Sequence, residues 1–360
     1  MNESRMNVKN AANSGSEGFD SNAETFGSKW KDRLLNSSLY IILGVLIVGV
    51  VAAEPSFLSF SNLGRIMAQA STRGILALGV AGMIVYTGTD LSAGRILGCC
   101  AAISASLLQS VTYASRMYPG ITQPLPLIVP LLLSILVGML FCSLNAFGFA
   151  ILRMHPFIIS LGTQLIAYGS LCLYIDSQSG GAQPLASLDP RYISIVNGSF
   201  DIGFMRLPYL VIYLFLCAAV MWVIWNRTTL GKNMFAIGGN SEAAAVSGVN
   251  VTRNIFGVYL VAGVLYGIAA FLEAGRVQSV TTATGLNYDL DAISGCVIGG
   301  VSFTGGVGTI PGVLMGVIIL QVINYSLYYL GVNAYLQYII KGLIIILAVA
   351  IDVRKYIARK

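Results

Sequence analysis

After a polar start, apolar runs recur along this chain almost to its end. Residues 1–33 are rich in Ser, Asn, Gly and Glu and are read as an unstructured tail. A helix crossing the hydrocarbon of a bilayer needs roughly 20 mostly apolar residues. Runs of that kind fall near 34–53, 69–87, 91–110, 126–152, 157–175, 208–225, 255–272, 292–304, 309–330 and 336–353. The run at 292–304 is too short to cross alone and reads as half of a broken helix. The pattern predicts an all-α polytopic membrane protein with about ten transmembrane helices, some broken or re-entrant. One membrane domain, residues 34–354, lies between the polar tail at 1–33 and a basic tail at 355–360.

The first run invites a second reading. Val51-Ala52-Ala53 before Glu54 has the small residues of a cleavage site, and Lys29, Lys31 and Arg33 resemble the basic start of a signal peptide. The polar residues ahead of it and the many runs behind it favour a retained first helix.

Composition fits only one class. Of the 360 residues, 56% are hydrophobic and 10% charged, and the mean hydropathy is +0.77. A soluble domain carries about 25% charged residues, so these charges are too few to cover a water-facing surface. Soluble enzymes and nucleic-acid binders are excluded on that ground. The net charge of +6 needs no nucleic acid, because the Lys and Arg lie near the ends of apolar runs. The cysteines Cys99, Cys100, Cys142, Cys172, Cys217 and Cys296 sit inside apolar runs with no C-x-x-C spacing, and read as small packing residues. No metal site is expected.

The Lys/Arg bias sets the orientation. Lys29, Lys31 and Arg33, then Arg227, Lys232 and Arg253 of the connection at 226–254, then Arg354, Lys355, Arg359 and Lys360 all fall on one side if the number of spans is even. That side is the cytoplasm, and both termini lie there. Arg65, Arg73, Arg116, Arg191 and Arg206 fall outside, where the longest loop is 176–207.

Within 226–254, one short stretch has the makings of a capped helix. Asn240 or Ser241 can cap its start, Glu242 suits the first turn, Ala243 to Ala245 favour helix, and Gly248 can end it in the left-handed conformation. Such a piece either docks into a groove of another protein or is an ordinary connection containing a turn of helix.

The same stretch carries a resemblance. Gly238-Gly239-Asn240, an alanine-rich turn and Ser247-Gly248-Val249 look like the coupling helix of permeases of bacterial ATP-binding-cassette sugar importers. Four further motifs are similar to that family: Thr87-Gly-Thr-Asp-Leu-Ser-Ala-Gly-Arg95, Phe157-Ile-Ile-Ser-Leu-Gly-Thr163, Ile298-Gly-Gly-Val-Ser-Phe-Thr-Gly-Gly-Val-Gly-Thr309 and Lys341-Gly-Leu-Ile-Ile-Ile-Leu-Ala-Val-Ala-Ile-Asp352. The resemblance runs from about residue 35 to the end. Thr89 and Ala93, with Leu272-Glu-Ala-Gly-Arg276 and Gly331-Val-Asn, look like its galactose/methyl-galactoside branch. His155 is a departure, since the family has a neutral residue before this Pro-Phe-Ile.

The resemblance implies a division of labour. A periplasmic binding protein delivers the sugar, two permease copies form the path, and two cytoplasmic ATPase subunits bind ATP and Mg. Gly238, Gly239, Asn240, Ser241, Glu242, Ala243, Ala244, Ser247 and Gly248 would meet the ATPase. The sequence agrees in what it lacks, since no G-x-x-x-x-G-K-[ST] loop is present. Nucleotide cofactors are therefore expected on the partner, not on this chain, and no catalytic residue is assigned.

Two glycine-rich interruptions stand at comparable places in the two halves. Gly88, Thr89, Asp90 and Ser92 form one; Gly299, Gly300 and Ser302 lie in the other. Non-helical backbone at membrane depth needs cover from protein or a water-filled cavity, and paired breaks are a sign of repeats meeting at a central path. They are candidates for lining that path, or their glycines serve close helix packing; Asn145 either lines it too or serves helix-to-helix hydrogen bonding. Glu273, Arg276, Asp289 and Asp291 are either solvated helix ends or part of a periplasmic docking surface. Lys341 lies oddly inside the last run. Trp222, Trp225, Tyr325, Tyr328 and Tyr329 take the interfacial belt position. An ion-driven transporter would need intramembrane acids; Asp90 alone is attractive, and that reading leaves the capped helix unexplained.

Overall fold

The computed structural model describes residues 44, 47–52, 54–178, 180–201, 203 and 206–357. The run at 34–53 and the tail at 1–33 fall mostly or wholly outside them. The described residues up to Gly49 are helical and belong to a unit of their own. The second unit begins at Val50 and holds everything below.

It opens with a 3-10 turn, Pro55–Leu58. The helices are α1 (Phe60–Val85), α2 (Ala93–Leu107), α3 (Ile128–Ala150), α4 (Pro156–Asp176), α5 (Pro190–Asn197), α6 (Tyr209–Arg227), α7 (Thr229–Gly239), α8 (Ser241–Val246), α9 (Val251–Val277), α10 (Tyr288–Ile298), α11 (Ile310–Tyr329) and α12 (Ala334–Ile357). Between α5 and α6 stands an antiparallel pair, β1 (Ser199–Asp201) and β2 (Arg206–Pro208), with Phe200 opposite Leu207. The sequence reading did not foresee this hairpin or α5 in the loop at 176–207.

Local chemistry fixes where the helices begin. Ser59, Thr228, Asn240, Asn250 and Thr309 each accept a hydrogen bond from a backbone N–H of the first turn, and proline opens α4 and α5. His155 caps α4, its Nδ1 accepting from Phe157 N at 3.4 Å. α1 starts at Phe60 rather than near 69, because its polar first turns are paired. Asn62 Nδ2 donates to Ser56 O at 3.1 Å, and Tyr325 OH donates to Asn62 Oδ1 at 2.8 Å. A search for apolar runs passes over such residues.

Among the described residues, six helices are long and apolar enough to cross a membrane: α1, α3, α4, α6, α9 and α11. The run at 91–110 corresponds to α2, whose 15 residues reach only about 22 Å at 1.5 Å per residue. α1 and α9 form the centre: 83% and 67% of their apolar windows are buried, against 28% in α3 and α4. α9 packs on α1, α2 and α3. The outward residues of α3 and α4, such as Leu136, Leu140, Leu165 and Leu173, are exposed and apolar, as suits a face toward lipid. This is a helical, multi-pass membrane protein.

Candidate functional site

Three groups of residues stand out. The first is the outward element α8. Asn240 ends α7 through its own N–H on Ala236 O at 3.0 Å, and starts α8 by accepting from Ala243 N at 2.9 Å. One residue thus closes one helix and opens the next. Gly248 takes φ +86°, and Gly248 N and Val249 N bond back to Ala245 O and Ala244 O at 3.0 and 3.1 Å. This is a left-handed helix stop. Ala244 is buried; Ser241, Glu242, Ala243, Ser247 and Gly248 are exposed, and Val246 is 91% exposed. The result is a rigid, small-residue helix of six residues presented outward, immediately after Gly238 (buried) and Gly239 (exposed).

The second group is the break between α1 and α2. The chain leaves α1 through Thr87 at φ +64°. Asp90 is almost completely buried, and its Oδ1 accepts from Ser92 N at 2.9 Å and from Ser92 Oγ. Asn145 Nδ2, on α3, reaches Ser92 Oγ at 2.9 Å and Asp90 Oδ1 at 3.4 Å. Tyr266 OH, on α9, donates to Asp90 Oδ2 at 2.9 Å. Asp90, Ser92 and Asn145, three of the candidates for lining a path, meet in one knot of helix-to-helix hydrogen bonds; Tyr266 was missed. A tyrosine deep in an apolar helix needs a partner for its hydroxyl, but nothing in the sequence says which. Gly88 is buried and Thr89 half-buried, its carbonyl accepting from Ser160 Oγ at 3.3 Å.

The matching break lies between α10 and α11. Ser302 N donates to Val307 O at 3.1 Å, and Ser302 Oγ pairs with Thr304 Oγ1 at 2.9 Å. Gly300 has φ +84° and is exposed. Gly299 serves close packing, since a Cβ there would run into the backbone of Gly312. The two breaks touch where Gly306 N donates to Val85 O at 3.0 Å.

The third group is a charged cluster that joins α1, α9, α10 and α12. Glu273 is fully buried. Its carboxylate accepts from Arg276 Nη2 and Nε at 2.7 and 2.8 Å, Tyr288 OH at 2.6 Å and Thr72 Oγ1 at 2.8 Å. Asp291 accepts from Arg73 Nε and Lys341 Nζ, each at 3.1 Å. The Arg73 guanidinium lies 4.1 Å over the Tyr288 ring. Asp289 is buried as well. These acids were read as solvated ends or docking residues; the structure places Glu273, Asp289 and Asp291 inside and commits two of them to internal partners. The physical reason is that burial demands a counter-charge. Arg73, which the charge bias had assigned to the outer side, lies mid-helix in Phe60–Val85, where an intramembrane charge needs a partner. Among the described residues, no group of three or more His, Cys, Asp or Glu is placed to hold a metal.

Residues 62–349 match the family described as branched-chain amino acid transport system / permease component, and the chain belongs to that family. It is a permease, and the resemblance read from the five motifs holds. The galactose/methyl galactoside import permease protein MglC of Haemophilus influenzae is 47% identical over 329 residues, 91% of this chain and 97% of that protein. Its namesake in Escherichia coli is 48% identical over 91% of this chain and 96% of its own length. The ribose import permease protein RbsC of Bacillus subtilis is 32% identical over 88% and 92%. No solved structure matches significantly.

Proposed function

We propose that this chain is the membrane subunit of an ATP-binding-cassette importer for galactose, methyl galactoside or a related hexose. The observation that carries the substrate is the identity of 47–48% to galactose/methyl galactoside permeases, against 32% to a ribose permease, each over about nine-tenths of this chain. In this reading the protein works as a homodimer of about ten helices per copy in the bacterial inner membrane, both termini cytoplasmic. A periplasmic binding protein delivers the sugar. ATP and Mg bind the partner ATPases, which grip the exposed face of α8 between Gly239 and Gly248, with Gly238 buried behind it.

Closure of the ATPases moves α8, and the bundle responds by switching the side to which the path opens. The Asp90–Ser92–Asn145 knot and the Ser302 loop border that path. A neutral sugar needs no charged ligand, which suits a region where Asp90 already has three partners on Ser92, Asn145 and Tyr266.

The test is uptake by vesicles holding this permease, its ATPase and its binding protein. Labelled galactose is expected to accumulate only with ATP, with methyl galactoside competing and ribose not. Accumulation by the permease alone, or displacement by ribose but not galactose, overturns the reading.

A further inference from the structure

The exposed helix α8 and the two breaks in the bundle are not separate features. Gly238 sits in the last turn of α7, two positions before the Asn240 cap that opens α8. A Cβ at Gly238 would run into the Val85 carbonyl oxygen and stand 2.7 Å from Gly306 N. From the opposite side, a Cβ at Gly305 would run into the Gly238 carbonyl oxygen and stand 2.6 Å from Thr87 Cγ2. Gly306 N completes the triangle by donating to Val85 O at 3.0 Å. Three backbones, from α7, from the end of α1 and from the loop before α11, therefore meet directly, with the Thr87 methyl packed beside Gly305.

Each strand of this triangle leads to a different place. Beyond Val85 the chain turns through Thr87 into the Asp90 knot. On either side of Gly305 and Gly306 it leads to Ser302 and to the Thr309 cap of α11. Beyond Gly238 it enters α8 with no free residue, because Asn240 caps both helices. A second strut holds the same end of α1: Tyr86 OH donates to Asn254 Oδ1, and Asn254 Nδ2 donates to Leu230 O of α7 at 3.4 Å.

We propose that the contact of Gly238 with Val85 and with Gly305–Gly306 is the joint through which a displacement of α8 reaches both breaks at once. Backbone against backbone is a stiff connection, since no rotatable side chain absorbs the movement, and tightly packed elements pass strain on to their neighbours. Gly238, Gly305 and Gly306 are then positioning residues for transport. They touch neither sugar nor ATPase, and only hydrogen at Cα lets the three chains approach. The proposal rests on α8 being the element moved by the ATPase.

The decisive measurement is hexose imported per ATP hydrolysed, in vesicles holding the permease with its ATPase and binding protein. Gly238→Ala is expected to leave assembly and ATP turnover in place while import per ATP falls about tenfold, within the range for a lost coupling between sites. Gly162→Ala on α4, where nothing lies within 4 Å of an added Cβ, is expected to keep the wild-type ratio. An assembled Gly238→Ala complex with an unchanged ratio overturns the joint, and so does an equal fall in Gly162→Ala. Where Gly238→Ala does not assemble, Gly306→Ala decides by the same ratio. Its added methyl stands 3.0 Å from Gly239 N and 3.1 Å from Gly239 Cα. A wild-type complex that imports no hexose instead sinks the importer reading. The joint is then judged on the permease alone by hydrogen exchange. Gly238→Ala is expected to speed exchange in 85–90 and in 302–308 together, and acceleration of one segment without the other overturns the joint.

Discussion

Lys341 and Asp291, fifty positions apart, meet at 3.1 Å inside the helical bundle, on a carboxylate that also holds Arg73 at 3.1 Å. One anion thus answers two cations, and it ties α12 and α1 to α10. Asp291→Ala leaves both cations without their anion in a poorly solvated place, which costs about 3–5 kcal/mol. Lys341→Met leaves the Arg73 pair intact and is expected to cost less. In the double variant Asp291→Ala/Lys341→Met, part of the lost stability returns. Thermal unfolding of the purified protein in detergent checks this, and an additive double variant would contradict the shared carboxylate.

Glu273 presents a harder case, because its four donors come from Arg276, Thr72 and Tyr288. Glu273→Gln keeps the shape but removes the charge that balances Arg276. The expected loss is again about 3–5 kcal/mol. Tyr288→Phe removes a single donor to a charged group and should cost about 1.5–3 kcal/mol. The order of the two midpoints, Glu273→Gln below Tyr288→Phe, is the measurable outcome.

Helix α8 is held by its caps rather than by length. Asn240→Ala removes the acceptor for Ala243 N and weakens the helix by about 1 kcal/mol. Gly248→Ala places a Cβ at φ +86°, at a cost of about 1–2 kcal/mol. Both variants are expected to fold with normal midpoints, since α8 is exposed, and to retain less ATPase on co-purification. Undiminished retention would count against α8 as the docking element.

α3 and α9 approach so closely that their glycines interlock. A Cβ at Gly263 would stand 2.6 Å from Met139 Cα, and one at Gly267 would run into the backbone at Ile135. Ser134 Oγ donates to Gly267 O at 2.9 Å across the same seam. Gly263→Ala is therefore expected to lower the unfolding midpoint. On α4, Gly162 has nothing within 4 Å of an added Cβ, so Gly162→Ala should raise it slightly, by about 0.5–1 kcal/mol in helix propensity.

Outside the spans, Arg191 holds the Asp189 carboxylate below its ordinary pKa of 3.8, by hydrogen bonds through Nη2 at 2.7 Å and Nε at 3.2 Å. A depressed pKa means that the folded state prefers the charged form. Its contribution is complete above the ordinary value and is lost as pH falls through the lowered one. Stability of wild type against Asp189→Asn, measured from neutral pH downward, should differ at neutrality and converge in acid.

Much of this architecture was legible in the order of apolar runs, because bilayer thickness imposes a length on each helix. α3, α4, α6 and α11 begin and end within a few residues of the expected runs. The start of α1 was not legible, since Asn62 and Arg65 interrupt the apolar pattern and only the fold supplies Tyr325 as the partner of Asn62. The site was half readable. Asn240 and Gly248 announced a capped helix through local chemistry. The burial of Glu273 and Asp291 was hidden, because their partners Thr72 and Arg73 lie about 200 positions away. Lys341 looked misplaced for the same reason, until Asp291 appeared beside it.

The central place of α1 has a consequence for biogenesis. It is the least apolar of the six long helices and the most enclosed. It emerges from the ribosome about 200 residues before the acids that receive Thr72 and Arg73. Until α9 and α10 have been made, its guanidinium lacks the carboxylate it is paired with in the folded protein, at membrane depth where a charge needs a partner.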